Sequence, residues 1–249
     1  MSGEVVVLAG ADGGNAARLV RATARLADAH LGPHALIGGL AVMCRLAAVH
    51  RVTQDVDTVA ETTAPTAVEV ITSSVGTRDS SKAESVLVDG ITIDVIDVES
   101  ITSAGLEGLD AGDRLFLVSH RWALDTAVET ELVAGEAAAS LRVATPPAIV
   151  AMKSGALGGR RRDPRKRASD LYDLYRLVLE HDRAGLVADA LVAAPFGLGL
   201  LVGEALRLHV VEEPERAVRA LLDGGPDMSA VTPDQLRDVI GPLAVHLLD

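Results

Sequence analysis

Leu36-Ile37-Gly38-Gly39-Leu40, followed by Arg51-Val52-Thr53-Gln54-Asp55-Val56-Asp57, is the stretch on which the reading of this chain turns. Ala35 to Ile37 reads as a short strand, Gly39 to His50 as a helix, and Val52 to Ala60 as a second strand. Extended side chains alternate between faces, so Asp55 and Asp57 leave the same face. Aspartate is depleted in strands, so two in one strand need a reason. Two hard oxygen ligands on one face suit Mg²⁺, which takes one or two carboxylates together with substrate phosphates. The glycine pair presents backbone without side chains, which lets a polyphosphate approach closely. Alone, the D-x-D spacing also occurs on the exposed face of an ordinary strand. With Gly38-Gly39 a helix length upstream, it points to an enzyme that moves a nucleotide.

Upstream, Glu4 to Leu8 reads as a strand, Ala11-Asp12-Gly13-Gly14-Asn15 as a turn and helix cap, and Ala16 to His30 as an amphipathic helix ended by Gly32-Pro33. Leu8 to Gly14 lacks the G-x-G-x-x-G spacing of a dinucleotide loop. Downstream, residues 61–85 read as loop with one short helix or strand. Ser85 to Val98 reads as a hairpin turning at Asp89-Gly90 between β-branched runs. Leu115 to Val118 reads as a further strand, and Pro146-Pro147 as a boundary. Helical patterns then cover Ala148 to Leu157, Arg165 to His181, 183–210 and 214–223. Thr232-Pro233-Asp234-Gln235 caps a last helix. The expected class is α+β, a mixed sheet with flanking helices over residues 1–145, followed by a helical lobe over residues 146–249.

Composition narrows the function. Hydrophobic residues make up 49% of the chain but aromatic residues only 2%, so the core is built from Ala, Val and Leu and bases are not read by stacking on aromatic rings. A single cysteine, Cys44, excludes an internal disulfide framework and a multi-cysteine metal site, and its apolar setting reads as core. The histidines follow no zinc-hydrolase spacing. No basic-plus-apolar leader opens the chain. The apolar run from Ala190 to Gly203 is broken by Pro195 and falls short of the roughly 20 residues of a membrane span. The expectation is a soluble, cytoplasmic protein with no membrane partner. A net charge of −12 argues against indiscriminate nucleic-acid binding. Yet Gly159 to Arg167 carries Arg160, Arg161, Arg162, Arg165, Lys166 and Arg167. One dense basic stripe on an acidic body can steer a polyanion to a single place. Its plainer readings are a solvated loop or a protein docking surface.

Three further positions stand out. Asp94 lies within the otherwise apolar Ile91-Thr92-Ile93-Asp94-Val95, and a strand carboxylate there needs a partner or a metal. Lys153, one of three lysines in an arginine-rich chain, stands on the apolar Ala148 to Ser154 helix. Its ammonium suits a triphosphate tail, with a snorkelling exposed lysine as the alternative. Asp170 and Asp173 are i, i+3 neighbours on one helix face. Asp170 could cap that helix, and Asp173 could pair with Arg176 or Arg167.

Taken together, these motifs resemble the nucleotidyltransferase toxins of the AbiEii family, the type IV abortive-infection and MenAT-type group. Leu36 to Ala41 with Arg51 to Asp57 is similar to its first motif, Lys153 on its helix to the second, and Arg167 to Leu174 to the third. The resemblance implies a polymerase-β-like catalytic core and a Mg²⁺-dependent enzyme, Mn²⁺ being an acceptable substitute. The substrate is a nucleoside triphosphate, and the nucleoside monophosphate passes to an RNA acceptor, the 3′ end of tRNA in relatives. A cognate antitoxin is the implied protein partner. Asp55, Asp57 and Asp94 are the expected metal ligands. Gly38, Gly39, Arg51, Thr53, Lys153 and Asp173 are expected at the nucleotide, Asp170 beside the reaction, and the basic stripe on RNA. A small-molecule nucleotidyltransferase of the antibiotic-modifying kind and a non-catalytic nucleotide-binding relative are the alternatives.

Overall fold

A computed structural model of the chain describes residues 4–8, 13–80, 82–159, 163–222, 228 and 230–249. They form two compact units: residues 1–100 with 123–145, and residues 101–122 with 146–249. The stretch 101–122 thus groups with the helical half, and the first unit is discontinuous in sequence.

The first unit is an eight-stranded mixed sheet. Its strands are β1 (Glu4–Val7), β2 (His34–Ile37), β3 (Asp55–Glu61), β4 (Thr77–Arg78), β5 (Ser85–Val88), β6 (Ile91–Val98), β7 (Val128–Ala134) and β8 (Ala137–Val143). They lie in the order β1-β7-β8-β2-β3-β6-β5-β4. Helices α1 (Gly13–Asp28), α2 (Gly38–Leu46) and α3 (Ala67–Ser74) belong to this unit. α1 packs on β7 and β8, burying Leu19, Val20 and Leu26 against the sheet. Each such leucine contributes about 1.5–3 kcal/mol by leaving water.

The hairpin expected at Asp89-Gly90 is present. Both turn residues have positive φ, 51° and 75°, the backbone a two-residue turn needs to match strand twist. α2 ends at Leu46, short of His50, because Ala47 turns left-handed at φ 49°. β3 begins at Asp55, after Val52, which stands exposed. α3 fills the expected loop region, closed by a capping box between Thr66 and Glu69.

One expectation needs correction. Leu115 to Val118 is not a strand but part of helix α4 (Ala111–Thr126). Asp110 starts that helix, its side chain accepting from the Asp113 N–H at 2.8 Å. Leu115 and Val118 are buried at i and i+3 while Phe116 and Leu117 face out, a helical pattern that a four-residue apolar run cannot reveal. The β7–β8 hairpin had no expectation attached. Its strands are rich in alanine, a weak strand former, although Leu132, Ala134, Ala137, Ala139, Leu141 and Val143 alternate inward.

The second unit is helical. Besides most of α4 it holds α5 (Pro146–Gly159), α6 (Pro164–His181), α7 (Leu186–Val192), α8 (Leu198–Leu206), α9 (Pro214–Leu222) and α10 (Pro233–Leu248). α5 packs on α6, and α8 on α10. At Gly203 a Cβ would meet Leu247 and Leu248 at 3.0 Å, so the bare backbone sets that approach. α10 starts as expected, with Thr232 and Gln235 exchanging capping hydrogen bonds and Pro233 in the first turn. Among the described residues no single helix is long and apolar enough to cross a membrane; one bent pair, 183–192 with 195–211, reaches that length and composition only jointly.

Candidate active site

The sheet register assembles the acidic cluster. β2 runs antiparallel to β3, placing Ile37 opposite Asp57 and starting α2 at Gly38 over the aspartate strand. β3 runs parallel to β6, placing Asp57 beside Asp94. Asp55 and Asp57 are two residues apart and share a face, as their spacing requires. One carboxylate oxygen from each of Asp55, Asp57 and Asp94 lies within 4.8 Å of the others. All three are half-buried, so the cluster opens to solvent on one side. Among the described residues this is the group of His, Cys, Asp or Glu that could hold a metal ion. A hard, all-oxygen donor set that is open to solvent on one side fits Mg²⁺ or Mn²⁺.

The neighbours of these carboxylates fix their positions. Thr53 is buried and its Oγ1 donates to Asp55 Oδ1 at 3.3 Å. The Thr53 carbonyl in turn accepts from Asn15 Nδ2 at 2.7 Å, tying α1 to the approach to β3. Ser85, fully buried on β5 and in register with Asp94, donates a short hydrogen bond to Asp94 Oδ1. Lys82 Nζ lies 3.4 Å from the other oxygen, Oδ2. Asn15, Ser85 and Lys82 carry no motif and escape a sequence reading. Only the alignment of β5 with β6, implied by the hairpin, brings Ser85 beside Asp94.

The glycine pair has a steric role. At Gly38, φ is +67° and a Cβ would lie 1.9 Å from Asp57 Oδ2. At Gly39 a Cβ would meet Thr53 Oγ1 at 2.7 Å and Arg51 Nη2 at 2.8 Å. The structure thus brings Gly38, Gly39, Arg51, Thr53, Asp55, Asp57 and Asp94 into one place. The Gly38→Ala variant is expected to push the Asp57 carboxylate aside and to pay for a left-handed alanine. Stability should fall by about 1–2 kcal/mol, and transfer by more than that stability loss explains. Turnover and thermal midpoint measured on the same preparation check this; unchanged turnover would show that Asp57 needs no such clearance.

The second unit holds a separate ionic group. Lys153 on α5 is buried, 8% exposed, and so are Asp170 and Asp173 on α6 at 5% and 0%. Lys153 Nζ lies 2.6 Å from Asp170 Oδ1 and 2.8 Å from Asp173 Oδ2. Lys153 is therefore not a snorkelling surface residue. Asp170 lies beyond the first turn of α6 and caps nothing; Asp163 is the cap, accepting from the Lys166 N–H at 3.1 Å. Lys153 pairs with Asp173; Arg176 Nη1 reaches the Tyr172 hydroxyl at 3.3 Å and Arg167 Nη1 the Leu157 carbonyl at 3.3 Å.

Of the basic stripe, Arg160, Arg161 and Arg162 lie outside the described residues. Arg165 and Lys166 are exposed, and Arg167 is half-buried. Cys44 is buried on α2, and burial pushes its thiol up to about 12, so it is no thiolate nucleophile. His120 is likewise held neutral, pushed down to about 4 by burial.

Comparison with protein families matches residues 21–196 to the family described as "Nucleotidyl transferase AbiEii toxin, Type IV TA system". The match takes in the glycine pair, the three strand aspartates, Lys153 and the Asp170–Asp173 helix. The chain belongs to the AbiEii family. It is accordingly a nucleotidyltransferase, and its mixed sheet with flanking helices is a nucleotidyltransferase fold. The family is one of type IV toxin–antitoxin systems, which makes this AbiEii chain a member of the toxin component's family. A comparison with curated proteins found no match.

Proposed function

We propose that this AbiEii chain transfers a nucleoside monophosphate from a nucleoside triphosphate to the 3′ end of tRNA in the cytoplasm, blocking translation until a cognate antitoxin neutralises it. The observation that carries the reading is the convergence of Asp55, Asp57 and Asp94 within 4.8 Å on one half-open sheet face. In-line phosphoryl chemistry relies on positioning and charge neutralisation, and three clustered carboxylates are suited to hold a metal that provides both. These residues would hold Mg²⁺, which supplies charge neutralisation at the phosphate and activation of the attacking hydroxyl. Thr53 and Ser85 keep two of the carboxylates oriented. Gly38 and Gly39 are assigned to the triphosphate's side of the site, their bare backbone admitting Asp57, Thr53 and Arg51 close by. Lys153, its ammonium set by Asp170 and Asp173, is assigned to the nucleotide's phosphates.

Incubation with each labelled triphosphate, Mg²⁺ and total RNA tests the proposal. Label is expected in the tRNA fraction, released by nucleases that trim 3′ ends. Label in a small molecule, or none in RNA with any of the four nucleotides, overturns the acceptor.

Arg160, Arg161, Arg162, Arg165, Lys166 and Arg167 are assigned to the acceptor's phosphates. If about four of the six meet phosphates, the log–log salt slope of RNA affinity is expected to be roughly −3 to −4. The Arg160→Ala, Arg161→Ala, Arg162→Ala triple variant should flatten that slope and leave triphosphate affinity alone. A wild-type slope in the triple variant removes RNA from the stripe's duties.

A further inference from the structure

The loop before β5 brings a cation to the acidic cluster that no motif announces. Lys82 Nζ sits 3.4 Å from Asp94 Oδ2, and the Ser85 hydroxyl holds the opposite oxygen. The backbone presenting Lys82 is anchored. Its carbonyl accepts from the Ser85 N–H at 3.3 Å, and the next turn is pinned by the Val95 N–H on the Glu84 carbonyl at 2.9 Å. Arg78 Nη2 reaches the Ala83 carbonyl at 3.5 Å. The lysine side chain itself is 45% exposed and Asp94's is 18% exposed, so the ammonium approaches from the solvent side. The chain has 23 cationic residues, of which three are lysines. A compact ammonium on a flexible stem can leave its partner more readily than a forked guanidinium.

We infer that Lys82 is a positioning residue for the metal site: it serves as the built-in counter-ion of Asp94 and must be displaced when a divalent cation takes that carboxylate. The inference rests on the reading of Asp55, Asp57 and Asp94 as metal ligands. Three acids this close repel one another, and an adjacent ammonium offsets that repulsion before loading. The same ammonium opposes a dication arriving at the same oxygens. Lys82 therefore weakens the binding of metal alone. It does so through Asp94 rather than by touching substrate.

The test is Mn²⁺ binding to the full chain without nucleotide, followed by electron paramagnetic resonance of free Mn²⁺. Lys82→Ala and Lys82→Met are each expected to bind Mn²⁺ about three- to tenfold more tightly than wild type, the size expected from removing one partly exposed charge. Lys82→Arg, which keeps the charge but releases Asp94 less readily, should bind Mn²⁺ no more tightly than wild type. The gain should shrink at 1 M salt, where exposed charges are screened within about 3 Å. A merely structural lysine would give unchanged or weaker binding in the Ala and Met variants, and that result overturns the inference. Asp94→Asn separates the two readings. If it abolishes Mn²⁺ binding while Lys82→Ala changes nothing, the metal site stands and the role of Lys82 falls. If Asp94→Asn leaves binding unaltered, or wild type binds no Mn²⁺, the metal reading falls and takes this one with it.

Discussion

The Asp57→Ala variant is expected to lose at least about a hundredfold in nucleotidyl transfer, the several kcal/mol that a metal ion's charge stabilisation supplies. Asp57 is the hinge of the cluster. It shares a strand face with Asp55, is in register with Asp94, and lies where Gly38 has no side chain. Losing it leaves two carboxylates that no longer enclose one position. The fold should survive, because Asp57 is only half-buried and its removal relieves repulsion among three acids in the metal-free protein. Asp55→Ala should behave alike, with Thr53 losing its acceptor. The measurement is turnover with Mg²⁺ as sole metal alongside a thermal unfolding curve. Wild-type turnover in either purified variant would falsify the assignment; lost turnover with a collapsed melting curve would shift the explanation to stability.

The second large effect is expected at Lys153, and it is one of stability before activity. Removing the lysine in Lys153→Met leaves two buried carboxylates facing each other, and breaking a buried ion pair from one side costs about 3–5 kcal/mol. That is a large part of the 5–15 kcal/mol by which domains are stable. Adding Asp173→Asn to Lys153→Met should recover part of the loss, because it removes one of two like charges facing each other in a buried place. Chemical denaturation of the single and double variants measures this. Equal stability of wild type and Lys153→Met would mean that the ion pairs carry no net energy. If the double variant regains its fold yet needs far more triphosphate for turnover, the assignment of Lys153 to the nucleotide is supported. A recovered triphosphate dependence would confine Lys153 to structure.

What the chain's local chemistry determined is clear from particular elements. The Asp89-Gly90 turn depends on two residues that tolerate positive φ, and Thr232-Pro233-Asp234-Gln235 on a side chain reaching three residues along. Both lie within a few bonds of their partners and are legible as written. The shared face of Asp55 and Asp57 follows from strand alternation alone, and the small side of Gly38 from its identity. Leu115 to Val118 reads as a strand because four apolar residues satisfy strand and helix alike; Asp110, the cap that starts the helix, stands several residues away. The β7–β8 hairpin is not legible along the chain, because alanine has little preference for a strand until a neighbouring strand and α1 cover it.

Tertiary structure alone decided which charges meet. Asp57 and Asp94 are adjacent because β3 and β6 run parallel in one register, a pairing across 37 residues that no local rule sets. Lys153 could have faced solvent and Asp173 could have paired with Arg176 on its own helix. The packing of α5 on α6 removed that side of both helices from water, and a buried carboxylate there is met by the Lys153 ammonium. Lys82 meets Asp94 for a related reason: the register of β5 on β6 carries its turn to the open edge of the acidic cluster. Period and capping are properties of neighbouring residues and can be read along the chain; the pairs Lys153–Asp173 and Lys82–Asp94 join different elements and exist only once folding has brought them together.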